Sequence, residues 1–436
     1  MKKIISALAV SALVFGSAAA KTSVNLNYRN GAYLYSHTDN GEEGSANETS
    51  STFGSLNSYN GGQDTLSFKA SGDVLDFQLD LQPSIKNTGS NSDQLRFNVL
   101  KIGAKWGGFH MQGGWIGDGL NGGYRVTNDA SNNEGAFFET YKLGSLFKNS
   151  LSKYSDNQVS IANVFDDRSF YGQADYTIAA DDLKVNLKGS VISDRYWKSV
   201  TAEQNSGDKG WSVVADVSIK DLFKTEAFVK GANVSAKKKG ETAADTRLAL
   251  VPGLYFQWLG TENLIATVGG AATVYDGDFS DYSADLRVRY AVDENLSITY
   301  YLKYSALDTD KFISKNAYAA NDAVDKNVGL GAAFTTDAVL WNFVNASYKM
   351  SPSVTLACSL GALTDLGDGK VADNKETKNG TTISVHPNAE FFAGKGASIT
   401  VGLAGTFAGL GAQKDSTFGE NANISFAVPV LFRVKM

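Results

Sequence analysis

Ala422 to Met436 reads A-N-I-S-F-A-V-P-V-L-F-R-V-K-M. In an extended strand side chains alternate between two faces. Ile424, Phe426, Val428, Val430, Phe432, Val434 and Met436 therefore share one face, and Asn423, Ser425, Ala427, Pro429, Leu431, Arg433 and Lys435 the other. One face is wholly apolar and the other mixed. What covers the apolar stripe is the question the upstream sequence has to answer.

The opposite end carries a secretion signal. Lys2 and Lys3 precede a short, mostly apolar run from Ile4 to Phe15, and Ala18-Ala19-Ala20 has the small-residue form of a cleavage site. Residues 1–20 are thus expected to be removed before Lys21, taking the net charge from −6 to −8. An acidic chain without clustered basic residues disfavours nucleic acid as a partner. The single cysteine, Cys358, excludes an internal disulfide framework and lies among Val354, Leu356 and Leu360 on an apolar face. No apolar run reaches 18 residues, so no transmembrane helix is predicted. A mean hydropathy of −0.19 does not exclude a membrane strand protein, because each spanning strand is half polar.

Period-2 alternation recurs in segments of roughly ten residues. Leu75, Phe77, Leu79 and Leu81 alternate with Asp76, Gln78, Asp80 and Gln82. Leu183, Val185, Leu187 and Val191 alternate with Lys184, Asn186, Lys188 and Ser190. Tyr282, Leu286, Val288 and Tyr290 alternate with Ser283, Asp285, Arg287 and Arg289; Leu296, Ile298, Tyr300 and Leu302 alternate with Ser297, Thr299, Tyr301 and Lys303. A sandwich would alternate too, but here charges occupy mid-strand polar positions while aromatics occupy the apolar face. Trp106, Trp115, Trp197, Trp211 and Trp258 fall at or near strand ends.

The connections are asymmetric. Tight turns near residues 72, 107, 180, 222, 261, 294, 352 and 395 alternate with loops near 37–63, 87–93, 117–157, 197–210, 237–245, 276–280, 308–326, 367–380 and 409–421. Eight turns and nine loops join about 18 strands, with both ends on the turn side. The range is 16 to 22, because Gln158–Ile178 and Asn327–Met350 would each add strands if they were hairpins. A bulge is expected between Val99 and Leu100, where the apolar phase changes, and Pro252 and Pro429 call for a bulge or local break in the ladder.

Gly117-Asp118-Gly119-Leu120-Asn121-Gly122 matches a nucleotide-binding fingerprint, but no helical pattern follows to receive a pyrophosphate, so it reads as loop. His37, His110 and His386 have no metal-ligand partner at strand or helical spacing, and no G-x-S-x-G or H-E-x-x-H occurs. The chain is therefore read as a non-enzyme without cofactor or metal. The predicted inner face carries Lys184, Lys188, Arg247, Arg287, Arg289 and Lys303 facing Asp76, Asp80, Asp216, Asp285 and Glu390, arrays able to tune ion passage.

Signal peptide, alternating strands, asymmetric loops and terminal strand together resemble bacterial outer-membrane β-barrel proteins across the whole chain. Within that class, size and strand number resemble the general porins, although the terminal residue is Met436 where that family usually has Phe. The resemblance implies an all-β fold: one transmembrane antiparallel barrel over residues 21–436, with short periplasmic turns and long external loops. It also implies that the third external loop, 117–157, folds into the lumen and narrows it, making Asp118, Asp129, Glu134 and Glu139 constriction candidates. The expected function is passive diffusion of small hydrophilic solutes and ions across the bacterial outer membrane. The expected partners are membrane lipid and the solutes, with a homotrimer as the candidate assembly. Two alternatives stay open. One is a substrate-specific barrel transporter, for which Tyr33, Tyr35, Tyr255, Tyr275 and Tyr301 would form an inward aromatic path. The other is a secreted all-β surface adhesin.

Overall fold

The computed structural model describes residues 21–39, 47–49, 65–84, 94–116, 169–193, 210–238, 245–307, 313–314, 338–366, 380–394, 396–413 and 423–436. Eighteen antiparallel strands close on themselves. In chain order they are β1 (Lys21–Asp39), β2 (Thr65–Ser71), β3 (Leu75–Ser84), β4 (Gln94–Trp106), β5 (Phe109–Ile116) and β6 (Ser169–Ala180). There follow β7 (Leu183–Ser193), β8 (Gly210–Ile219), β9 (Phe223–Lys238), β10 (Asp245–Thr261), β11 (Leu264–Tyr275) and β12 (Asp278–Ala291). The ring is completed by β13 (Leu296–Leu307), β14 (Ala338–Ser351), β15 (Val354–Asp365), β16 (Thr381–Phe392), β17 (Ala397–Gly402 continued by Ala404–Leu410) and β18 (Asn423–Lys435). Each strand pairs with its sequence neighbours, and β18 returns to β1, so that no barrel edge is left.

All eight turn-side connections are short, and β1 begins and β18 ends on that side. The seam lies slightly higher on β1 than the strand ends alone imply: β18 pairs with Asn27–Asp39, and Leu26 and Met436 exchange two backbone hydrogen bonds. The loop side is not uniformly long. Between β11 and β12 the 276–280 connection reduces to Asp276-Gly277, with φ of 55° and 84°, the left-handed pair of a two-residue hairpin turn. Two short segments decorate that rim: Asn47–Thr49 pairs with Ser36–Thr38, and Ile313–Ser314 reaches back from the β13–β14 connection to Lys237–Lys238 of β9.

The irregular positions have local causes. The extra residue in β4 is Asn98, where the β3 ladder passes from Val99 to Phe97; Val99 therefore faces the lumen, and the phase change sits one step earlier than the apolar pattern implies. Pro252 pairs with β9, while the β10–β11 ladder skips from Leu250 to Gly253, so its missing N–H costs no barrel bond. Pro429 sits where β1 bulges at Leu34 and where β17 breaks at Leu403.

The outer surface is apolar and exposed. Val24, Ile102, Leu187, Val213, Leu254, Val268, Val344, Leu360, Phe407, Ile424 and Phe426 all point outward with large exposed side chains. Exposed outward aromatics form two belts: Trp106, Tyr176, Trp258, Tyr290 and Tyr348 near the turns, and Tyr282, Phe407 and Phe426 nearer the loops. Tyr282 and Tyr290 lie eight residues apart on β12, about 27 Å along the strand and about 21 Å along the barrel normal at a tilt near 40°. That separation matches the apolar band of an outer-membrane barrel, roughly 25 Å tall between its girdles. A closed ladder with its apolar face outward satisfies every spanning backbone group without water, which is what hydrocarbon requires.

Candidate functional site: the inner wall

The register carries one face continuously round the ring, and on that face the polar side chains lie. Asp76, Asp80, Lys184, Lys188, Asp216, Arg287, Arg289 and Glu390 all occupy it. Arg247, Asp285 and Lys303 hold inner-face register positions, 247 opposite Val234 and 285 opposite 303. Asp118, Asp129, Glu134 and Glu139, and the 117–157 connection that holds them, lie outside the described residues, as do residues 1–20.

Asp76 and Asp80 on β3 are half-way round the ring from Arg287 and Arg289 on β12, at similar heights above their turns. Lys184 and Lys188 on β7 stand likewise across from Glu390 on β16. The two signs are nevertheless interleaved locally. Lys188 Nζ lies 4.0 Å from Asp216 Oδ2 on the next strand, and Glu226 is the Cα partner of Asp216 on the strand after that. Lys188 and Glu226 are fully buried against the wall, while Lys184 and Arg289 are exposed.

A side-chain network missed in the sequence runs over β3 to β7. His110 sets Nδ1 3.1 Å from Asp175 Oδ1 and Nε2 3.4 Å from Asp76 Oδ1. Lys105 Nζ lies 3.7 Å from Asp76 Oδ2. Asn186 donates to Asp175 Oδ2 at 3.2 Å and to Thr177 Oγ1 at 2.8 Å, and Gln173 donates to Asp175 Oδ1 at 3.3 Å. Gly103 makes the His110–Asp76 approach feasible, since a Cβ there would overlap both Asp76 Oδ1 and His110 Nε2. His110 has carboxylate partners that sequence spacing did not nominate, because they come from strands 34 and 65 residues away. The signal that could have found them was period-2 phase plus hairpin register, since Asp175 is the Cα partner of His110 across one ladder.

Next to this network the wall recedes into a cavity of about 530 Å³ between β4 and β9. Its charged lining is Lys101, Lys184, Lys188 and Lys224 with Asp175, Asp216 and Glu226; Gln112, Gln173, Asn186, Thr177 and Ser218 supply amides and hydroxyls. The wall formed by β14 to β17 is different. There Ser359 donates to Asn345 at 2.9 Å, and Ser384 and Thr406 share a hydrogen bond at 3.1 Å, so the inner face is mostly neutral and hydroxyl-rich.

The inward aromatic path is not continuous. Tyr255 and Tyr301 do face inward, but both are buried, Tyr255 under a parallel Phe228 ring 6.2 Å away. Tyr35 turns outward, because the bulge at Leu34 flips its phase, and packs at a tilt against Phe426 on the outer face, ring centroids 5.2 Å apart. Tyr33 and Tyr275 hold inner register positions. His37 also lies outward, beside Phe426. Among the described residues no group of His, Cys, Asp and Glu side chains is arranged to hold a metal ion.

No protein-family model matches the chain, and no curated protein matches it. Solved structures of similar shape include the outer membrane channel DcaP of Acinetobacter baumannii, at 12% identity over 96% of this chain and 97% of that one, with a TM-score of 0.42. The anion-selective porin from Comamonas acidovorans aligns at 9% identity over 95% and 99%, TM-score 0.48, and Pseudomonas putida OprB at 8% over 98% and 96%, TM-score 0.46. The likeness is too distant to carry a functional argument, and the barrel assignment rests on the closed strand ladder itself.

Proposed function

We propose that the chain is an outer-membrane porin through which small hydrophilic solutes and ions diffuse passively. The observation that carries it is the pairing of an exposed apolar outer belt with a charged, hydrogen-bonding inner face on an 18-strand ring. Barrels of 16 to 18 strands are wide enough to enclose an aqueous channel, whereas eight-stranded ones fill with side chains. The outer belt argues against a soluble adhesin, because apolar patches of this extent are not left in water. The partner of the outer face is then lipid, and the short turns face the periplasm. The 117–157 connection joins β5 to β6 on the loop side, and we assign it the role of limiting pore size through Asp118, Asp129, Glu134 and Glu139. A homotrimer is the assembly consistent with that role.

Reconstitution of the folded protein in planar bilayers tests this. Stepwise conductance increments linear in salt concentration are expected, and shortening 117–157 should enlarge each step. Absence of conductance from a heat-modifiable, folded barrel would overturn the proposal. Sedimentation in detergent at matched density reads the assembly state separately.

A further inference from the structure

The chain as a whole is acidic, with 46 carboxylates against 40 lysines and arginines. The inner face runs the other way. Its described cations include Lys69, Lys101, Lys105, Lys349 and Arg433 besides those already placed, and they outnumber the described inner carboxylates. Three of those carboxylates are engaged as follows: Asp175 with His110, Gln173 and Asn186, Asp76 with Lys105 and His110, and Asp216 with Lys188.

Two lysines differ. Lys184 of β7 and Lys224 of β9 are both Cα partners of Ser218 on the strand between them, so all three stand in one row on the inner face. Both lysines are exposed, line the cavity, and make no ion pair with a described carboxylate. Two strand spacings set their Cα atoms about 10 Å apart. Four-carbon arms let both ammonium groups meet on one oxyanion or hold the two ends of a dianion. Ser218 supplies a neighbouring hydroxyl.

We propose that the pore selects anions, and that Lys184 and Lys224 form its turn-side binding station for small carboxylate- or phosphate-bearing solutes. This rests on the passive-pore reading. Anions entering from the turn side meet a wall whose described charges are net positive, and the row of two lysines gives them a resting place; anions from the loop side reach it past the acidic 117–157 connection. Of the carboxylates beneath, Asp216 faces Lys188 at 4.0 Å and Asp175 accepts hydrogen bonds from Gln173 and Asn186.

The test uses the full-length folded protein in planar bilayers under a tenfold KCl gradient at about 0.1 M salt. The reversal potential is expected to have the sign of chloride permeation. Each unpaired lysine within about 7 Å of the ion path should change the chloride-to-potassium permeability ratio about threefold after screening. Lys184→Gln and Lys224→Gln should each lower the ratio by that factor and the double variant by their product. Millimolar inorganic phosphate should reduce chloride current in the parent and much less in the double variant; succinate run alongside shows whether two linked carboxylates are held better than one phosphate. A potassium-selective or unselective wild-type pore overturns the inference while leaving the porin reading standing. So does a ratio unchanged in both single variants, which, at exposed positions, do not depend on the double variant folding. A folded barrel with no current removes both.

Discussion

Leu254→Arg puts a charge on the outer face of β10, where the side chain is 59% exposed. Trp258, in the turn-side girdle, lies four residues further along the same strand. Four residues span about 14 Å of strand and, at a tilt near 40°, about 10 Å of depth. With an apolar band about 25 Å tall, Leu254 then sits close to its middle. Arginine at that depth costs about 2–4 kcal/mol, against about 0–1 near an interface. Ile178→Arg is the matched control: Ile178 is also outward and 51% exposed, but it sits two residues from the end of β6, below the girdle residue Tyr176. Were these faces in water, both changes would fall within about 0.5 kcal/mol of neutral. Urea-dependent folding into phospholipid vesicles, followed by heat-modifiable gel migration, reads the difference. The folding constant of Leu254→Arg should drop about 30- to 700-fold, and that of Ile178→Arg by less than about tenfold. Equal behaviour of the two variants would refute the assignment of this face to lipid.

Lys188→Met leaves Asp216 and Glu226, partners across one ladder, without the buried cation beside them. The unfolding free energy in detergent should fall by about 1–3 kcal/mol, with most of it restored when Asp216→Asn is added. Gly103→Ala drives a methyl into the Asp76–His110 approach and should destabilise by about 1–3 kcal/mol; adding His110→Ala should recover part of that in a double-mutant cycle. Cys358 is exposed on the outer face, opposite Pro387 and Ala346. A charged maleimide should therefore leave it unmodified in vesicles yet label it in denaturant, whereas Lys224→Cys in a Cys358→Ala background should be labelled in vesicles through the lumen. Labelling of Cys358 in intact vesicles would place β15 the wrong way round.

Strand number and sidedness were legible because they depend on counting. Eight tight connections recur where Gly, Asp, Asn and Pro cluster, and each places its flanking strands antiparallel. The two segments that threatened the parity contribute one strand each among the described residues, β6 and β14. Face assignment was legible for the same local reason, since period 2 separates Leu187 from Lys188 whatever the neighbours do. Bulges were less so. The apolar phase around Val99 admits an extra residue at more than one position, and only pairing with Asp80 and Leu81 selects Asn98. The bulge at Leu34 left no such mark, which is why Tyr35 reads as inward from sequence and lies outward in the barrel.

Alternation, turn chemistry and the amphipathic strand from Asn423 to Lys435 thus determine from sequence alone a closed ring with polar and apolar faces. Each of those properties is set within a few residues of chain. Which inner groups meet was decided only by the tertiary structure. His110 between Asp76 and Asp175, Lys188 against Asp216, and the row of Lys184, Ser218 and Lys224 all depend on how far one strand slides along the next. That register is fixed by turns, bulges and closure of the whole ring, and a slip of one residue would send every one of these side chains to the opposite face.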